Sequence, residues 1–419
     1  MPDSEQPDGW RLAKLAELAE VVGGTTPSRN ADGYFGGSIP WATPTDITRL
    51  SGHRFIGSTE AAITEKGRAA AGLRILPPGT ILMTSRATIG SAAIARVPIT
   101  TNQGFQNLIP NDDVEPLWLY YAVTGQRRLL ERLAAGSTFR EASRNTVRSL
   151  ELLVPPRSEQ RRIAEVIDSI DAAIEQTEAV IAATERLRSA LLRELLTRGV
   201  PGWHTEWKEV PGIGTIPACW GVVRLGEVAP ISYGTSVPTS HAGTGLPVLR
   251  IPNVARGVID LTDLKFALDP TTAEPETRKD DLLIVRTNGN PDICGTFALV
   301  PELTEKVLFA SYLMRIRTTN RKLLPAFIAA FLNTTGRAQL RGRIRTSAGN
   351  YNISASGLAS VEVPVPSENE QVRMLEALDS IDARRAEELK ERDRLVLVKQ
   401  GLANALLSGQ VRVRGKPNG

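Results

Sequence analysis

Two stretches of the chain carry a hydrophobic pattern found nowhere else in it. From Ser158 to Arg198 there is no Gly or Pro, and apolar residues recur at Ile163, Ile167, Ile170, Ile174, Ile181, Leu191 and Leu195. Those steps stay on one heptad seam, interrupted at Thr177, Thr184 and Arg188. Glu368 to Leu407 repeats the pattern with Met374, Leu378, Ile381, Leu395, Leu402 and Leu406, and is charged in its middle at Arg384, Arg385, Glu387 and Glu388. The Pro-Pro-Arg-Ser run ending at Ser158 marks a helix start, although Arg161 stands where a full capping box needs Glu or Gln. Each stretch predicts a helix of about 40 residues, about 60 Å long.

The rest of the chain has a different texture, rich in Gly, Pro, Thr and β-branched runs. Residues 39–43, 79–84, 246–251 and 282–286 read as short strands bounded by turn residues. Pro116 to Leu133 and Pro325 to Leu340 read as helices with Pro in the first turn. The pattern predicts α+β globules with small mixed sheets.

The two kinds of segment alternate because the chain is duplicated. Trp10-Arg-Leu-Ala-Lys-Leu-Ala-Glu-Leu-Ala19 aligns without a gap on Trp220-Gly-Val-Val-Arg-Leu-Gly-Glu-Val-Ala229. Val154-Pro-Pro-Arg-Ser-Glu-Gln160 answers Val363-Pro-Val-Pro-Ser-Glu-Asn-Glu-Gln371. Asp168-Ser-Ile-Asp171 recurs as Asp379-Ser-Ile-Asp382, and Leu195 to Val200 is answered by Leu406 to Val411. The expected organisation is a globule over 1–156, a helix over 157–200, a second globule over 201–365, a second helix over 366–409 and a flexible tail over 410–419. A lone amphipathic helix cannot bury its stripe. The matched pair is therefore expected to form a two-helix antiparallel coiled coil separating two globules with pseudo-two-fold symmetry.

Composition narrows the chemistry. A chain of 419 residues is too long for one core. The N-terminus has no basic region followed by an apolar run, and no run of about 18 apolar residues exists, so neither a signal peptide nor a membrane span is expected. Two cysteines and three scattered histidines offer no disulfide framework and no zinc spacing, which points to a reducing cytoplasm. The net charge of +4 says little, but its distribution says more. Lys306 to Val361 holds nine Lys/Arg and no acid, and residues 126–148 hold six arginines against Glu131 and Glu141. Basic runs at matching places in two halves point to an anionic partner, and two globules on a stiff spacer longer than one turn of DNA suit double-stranded DNA with separated half-sites.

Catalytic signatures are missing. There is no phosphate-binding Gly-x-x-x-x-Gly-Lys loop, no nucleotide fingerprint, no amino-methylation motif and no nucleophile elbow. Gly243-Thr-Gly245 and Pro291-Asp292 read as turns. The Asp168/Asp171 and Asp379/Asp382 pairs read as facing solvent or a partner's basic groups rather than a metal. From the residues alone, a DNA reader, a structural coiled-coil adaptor, and a methyltransferase or nuclease with unrecognised motifs all stay open.

Several blocks then carry a specific resemblance. Leu76-Pro-Pro-Gly-Thr-Ile-Leu-Met-Thr-Ser-Arg-Ala-Thr-Ile-Gly90, Thr101-Asn-Gln-Gly-Phe105, the Gly23-Gly-Thr-Thr-Pro27 turn, Gly136-Ser-Thr-Phe139 and Leu152 to Ile163 resemble the DNA-specificity subunits of type I restriction–modification enzymes. The second half departs more: Arg286-Thr-Asn-Gly289 stands where Ser85-Arg-Ala-Thr88 does, and the Asn-Gln-Gly-Phe block is replaced. The resemblance implies that the globules are target-recognition domains and the helices spacers. It implies a non-catalytic chain without a cofactor of its own, reading an asymmetric bipartite DNA target. It also implies two modification subunits that methylate adenine with S-adenosylmethionine, and ATP-driven restriction subunits with Mg.

Arg on guanine and Asn or Gln on adenine are the usual base-edge pairs, while phosphates take Arg, Lys, Ser, Thr and backbone amides. The expected DNA contacts are therefore Thr84, Ser85, Arg86, Arg140 and Arg144 in the first half, and Arg286, Asn288, Arg345, Asn350 and Tyr351 in the second. Arg127, Arg128, Arg341 and Arg343 are expected on phosphates.

Overall fold

The computed structural model describes residues 7–134, 141–268, 275–319, 322–347 and 349–413. The chain falls into two compact units: Met1–Val180 together with Leu389–Gly419, and Ile181–Glu388. The long helices run from Arg157 to Arg198 and from Glu368 to Leu407, so each unit holds one globule and a segment of both helices.

In the first unit the main sheet has the order 19–23, 105–110, 81–84, 92–95, 55–56. Its central strand, Ile81–Thr84, is buried throughout. Side chains alternate across a strand. Ile81 and Met83 thus enter the core shared with the first long helix, and Leu82 enters a second core with Ala42, Ala93 and Phe105. Two covered faces explain the continuous apolar run. A smaller sheet joins 61–63, 35–42 and 100–101, and 11–14 pairs antiparallel with 151–154 at the entry to the long helix.

The second unit repeats this plan. Its sheet runs 231–233, 313–316, 282–285, 297–299, with Leu282 and Ile284 in one core and Leu283 and Val285 in another. The ladder 221–224 with 362–365 answers 11–14 with 151–154. It adds the hairpin 207–210/214–217 and a three-stranded sheet of 287–288, 350–352 and 345–347.

Within each unit the two helix segments run antiparallel. In the first, Lys399 Nζ meets Asp171 at 2.6 Å and Arg412, just past the second helix, meets Glu159 at 2.7 Å. In the second, Arg188 pairs with Asp382 at 2.5 Å and Arg385 with Glu185 at 2.9 Å. The expected apolar seam is buried only at the helix ends. Ile163, Ile167 and Leu406 join the first globule's core, and Leu195, Met374 and Leu378 join the second's. Ile170, Ile174, Ile181 and Leu395 are half-exposed, because ion pairs rather than apolar knobs fill the middle.

Two expected helices are each split. Pro116–Gly125 ends where Gln126 N–H turns back to Val123 O (3.1 Å), and Arg127–Ala134 restarts the helix. Pro325–Asn333 ends before Gly336, where any Cβ would lie 2.8 Å from the Phe331 ring, and Arg337–Arg343 follows. The expected tail begins with fixed residues: Arg162 Nε donates to Val413 O, and Val411 N–H to Ala405 O.

Candidate nucleic-acid interface

The central strand of each unit ends at a rim loop, and backbone bonds fix the correspondence between the two rims. Ser85 N–H bonds Gly104 O and Ser85 O accepts from Ala142 N–H. Arg286 N–H bonds Tyr312 O and Arg286 O accepts from Ile353 N–H. Arg286 therefore takes the place of Ser85, and Phe309-Ala-Ser-Tyr-Leu313 takes that of Thr101-Asn-Gln-Gly-Phe105. Gly24 and Gly234 match as well. A Cβ on either would lie 2.1 Å from Asn102 O or 2.2 Å from Ala310 O, so only Gly lets this turn pack on the loop beside it.

In the first unit Thr84 and Ser85 are fully buried, contrary to their expected exposure. The Thr84 hydroxyl donates to Thr88 O (2.5 Å) and Ser91 O (3.0 Å), which ties the loop shut beneath Arg86. Arg86 is exposed and paired to Glu141 at 2.9 Å. Arg127 pairs with Glu131 at 2.9 Å, and its stem packs on Gly90, whose φ of +78° favours glycine. Arg128 is exposed. Arg144, first in the helix capped by Ser143, lays its guanidinium over Gly23. Arg140 and the Gly136–Phe139 block lie outside the described residues.

In the second unit the three-stranded sheet brings Asn288, Arg345, Asn350 and Tyr351 together, pairing Asn288 with Tyr351 and Arg345 with Asn352. The Asn288 side chain caps Asn290 N–H at 2.8 Å, so its oxygen is already engaged. Arg345 is exposed and bonds Gly342 O at 3.1 Å. The Arg286 guanidinium lies 5.0 Å from the Tyr233 ring centroid and donates to Ser311 O. Beside it a groove opens between Thr235, Pro238, Arg250, Ser311 and Tyr312.

Two expected phosphate ligands differ in availability. Arg341 is exposed and shares Asp292 at 3.3 Å. Arg343 is turned inward, its guanidinium bonding Ser360 Oγ, Ser360 O and Gln339 O at 2.8 to 2.9 Å, so it braces the helix 355–359 rather than reaching outward. Sequence reasoning missed Arg337. It bonds Gly295 O and Asp292 O against Gly295, the counterpart of Arg127 against Gly90. The repeat offset was a signal that could have found it. Burial, and then the charge of Arg341, pull Arg337 below the ordinary arginine range. Among the described residues no acid pairs with Arg128, Arg144, Arg286 or Arg345.

The Ser-Glu-Gln blocks dock the long helices. Gln160 accepts from Glu115 N–H and donates to Pro155 O; Gln371 accepts from Leu324 N–H and donates to Pro366 O. Glu159 accepts from the Trp10 indole, and Glu370 from the Trp220 indole. Each carboxylate also closes on chain that follows the other long helix: Arg412 on Glu159, and His204 and Val200 N–H on Glu370. The two aspartate pairs differ: Asp379 is exposed and Asp382 takes Arg188, as expected, whereas the first pair turns inward. Asp171 is buried, taking the Tyr121 hydroxyl at 2.8 Å and Lys399, and Asp168 pairs with Arg54. Burial, then the charge of Asp171, hold the Tyr121 hydroxyl far above its usual pKa.

The sequence model of the type I restriction modification DNA specificity domain matches residues 7–186 and again 217–395. The chain belongs to that family. The MjaIX specificity subunit of Methanocaldococcus jannaschii is 35% identical over 258 residues, 60% of this chain and 60% of that protein's length. The MjaVIII specificity subunit of the same organism is 21% identical over 412 residues, covering 97% of this chain and 94% of that one. The EcoKI specificity subunit of Escherichia coli K12 is 22% identical over 91% of this chain and 84% of its own. The fold is shared with a chain solved in work on complex assembly of a type I R-M system (TM-score 0.64, 19% identity, 97% and 100% coverage). It is also shared with the S subunit of M. genitalium (TM-score 0.55, 16% identity, 97% and 98% coverage). As a type I specificity chain the protein is a non-catalytic, DNA-directed member of such a system, whose specificity chains act with modification and restriction subunits. No described helix is long and apolar enough to cross a membrane.

Proposed function

We propose that this chain selects an asymmetric, bipartite double-stranded DNA target, one half-site per unit, for a type I restriction–modification complex of the cytoplasm. Residues 1–156 and 201–365 act as target-recognition domains, and residues 157–200 and 366–409 as spacers. Two modification subunits methylate adenine with S-adenosylmethionine, and ATP-driven restriction subunits with Mg join them; the chain itself holds no cofactor. The observation that carries this reading is one rim architecture built twice with different side chains on it. Identical rims would favour a palindrome, whereas unlike rims favour unlike half-sites. Arg86, Arg127, Arg128, Arg144, Arg286, Arg341, Arg345, Asn350 and Tyr351 supply the surface, with Asn288 beside them. Thr84, Ser85 and Arg343 support it from beneath.

The test is co-expression with a cognate modification subunit, followed by mapping of methylated adenines in genomic DNA. A split motif with a constant gap is expected. Methylation at an uninterrupted palindrome, or a purified complex without DNA affinity, would refute the proposal.

A further inference from the structure

The backbone register allows the two rims to be compared position by position. Gly23 pairs with Gln106 as Tyr233 pairs with Met314, each at the end of its strand, and each is followed by the matched glycine 24 or 234. Ser143 caps the helix 144–148 as Ser354 caps 355–359, so Arg144 corresponds to Ala355. Ser85 corresponds to Arg286. One rim thus carries Gly23, Ser85 and Arg144, and the other Tyr233, Arg286 and Ala355.

These three differences are coupled. In the first unit the missing side chain at Gly23 leaves room for Arg144, whose Nη2 lies 2.9 Å from where a Cβ would stand. In the second the Tyr233 ring fills that place, its hydroxyl accepting from Ala355 N–H at 3.2 Å. An arginine at 355 would have nowhere to lie. Instead Arg286 comes from the central strand and rests on the Tyr233 ring, a cation–π contact that holds the guanidinium plane. Each rim ends with one guanidinium against residue 23 or 233, delivered by a helix in one unit and by a strand in the other. Neither is paired with an acid among the described residues, whereas Arg86, Arg127 and Arg341 are.

We infer that Arg144 and Arg286 are the specificity-determining arginines of the two units, each reading a guanine base edge in its own half-site. This rests on the function proposed above. A phosphate contact needs only charge, and flexible surface arginines suffice for it. A planar guanidinium seated at the rim, Arg286 on the Tyr233 ring and Arg144 over Gly23, suits bidentate donation to guanine O6 and N7. Delivery from different elements would set the guanine at different positions within the two half-sites.

The complex with the modification subunit is prepared with Arg144→Ala, Arg144→Lys, Arg286→Ala and Arg286→Lys, and the methylated-adenine motif is mapped for each. Each Arg144 variant is expected to relax one G·C position in one half-site, with about tenfold to hundredfold lost discrimination, leaving the other half-site unchanged. Each Arg286 variant should do the converse. Lysine keeps the charge but not the fork, so it should not rescue. Rescue by lysine shows that the planar fork is not what reads the base, and equal weakening at every position identifies a phosphate contact; either overturns the inference. Relaxation in both half-sites by one variant, or an unchanged motif, overturns it too. Should Arg286→Ala not fold, Arg286→Lys decides, since its aliphatic stem still covers Tyr233. A wild-type complex that yields no split motif refutes the functional reading itself, a result distinct from those of the variants.

Discussion

Glu370→Ala tests how the second long helix is fastened to its globule. The carboxylate is 2% exposed and accepts the Trp220 indole at 2.9 Å, Val200 N–H at 3.1 Å and the His204 imidazole at 2.6 Å. Truncation strands the Trp220 indole, itself 2% exposed, and leaves His204 facing a void. A buried donor left without its acceptor costs about 1–3 kcal/mol, and truncation strands several at once: the Trp220 indole, Val200 N–H and the His204 ring. We expect a loss of roughly 4 kcal/mol, which for a unit of this size lowers its melting temperature by roughly 10 °C. Calorimetry of the purified complex reads this, with exposed Glu368→Ala as the reference. Trp220→Phe combined with Glu370→Ala should cost less than the sum of the two, because the cycle removes both halves of one bond. A loss below about 1 kcal/mol, or strict additivity, would mean that the carboxylate is not the fastening and that packing of Met374 and Leu378 alone holds the helix.

Further outcomes follow from the same geometry. Burial alone would raise the pKa of Glu159, but bonds from Arg412 and Trp10 outweigh it and leave it below the ordinary 4.5. Its stabilisation is therefore present above about pH 4.5 and lost as pH falls through the lower folded value. The melting-temperature gap between wild type and Glu159→Gln should accordingly be flat from pH 8 to about 5 and shrink below about 4. Gly24→Ala drives a Cβ against Asn102 O and should destabilise the first unit by about 1–3 kcal/mol and weaken its half-site, while Gly57→Ala, with open space around it, should do neither by thermal melting and motif mapping. Arg128→Ala and Arg345→Ala should each flatten the slope of log affinity against log salt by about 0.9 if they touch phosphate; an unchanged slope in a filter-binding titration removes either residue.

The long helices and the duplication were legible because periodicity and repeated blocks survive in one dimension. Ile163, Ile167, Met374 and Leu378 announce the docking faces. The charged middle, where Arg188 finds Asp382 and Lys399 finds Asp171, looked like a defect in the seam, since ion pairs between distant segments leave no local pattern. The rim was only partly legible. Arg86, Arg144 and Arg345 read as basic loop residues and are exposed ones. Thr84 and Ser85 look like surface polar residues, yet the strand they end lies between two cores. Arg343 looks as available as Arg341, and only the fold reveals the Ser360 carbonyl that claims it. The exchange of Gly23 and Arg144 for Tyr233 and Arg286 joins positions over 50 residues apart, and backbone bonding alone aligns them.

The closure of Glu159 by Arg412 bears on how the protein is made. Glu159 emerges from the ribosome some 250 residues before its guanidinium partner, and the first unit also waits for Leu402 and Leu406. The second unit, Ile181–Glu388, is one uninterrupted stretch and has all its parts at hand earlier. During synthesis the globule begun first is the one finished last, since Leu406 and Arg412 reach it only after the second unit has been made.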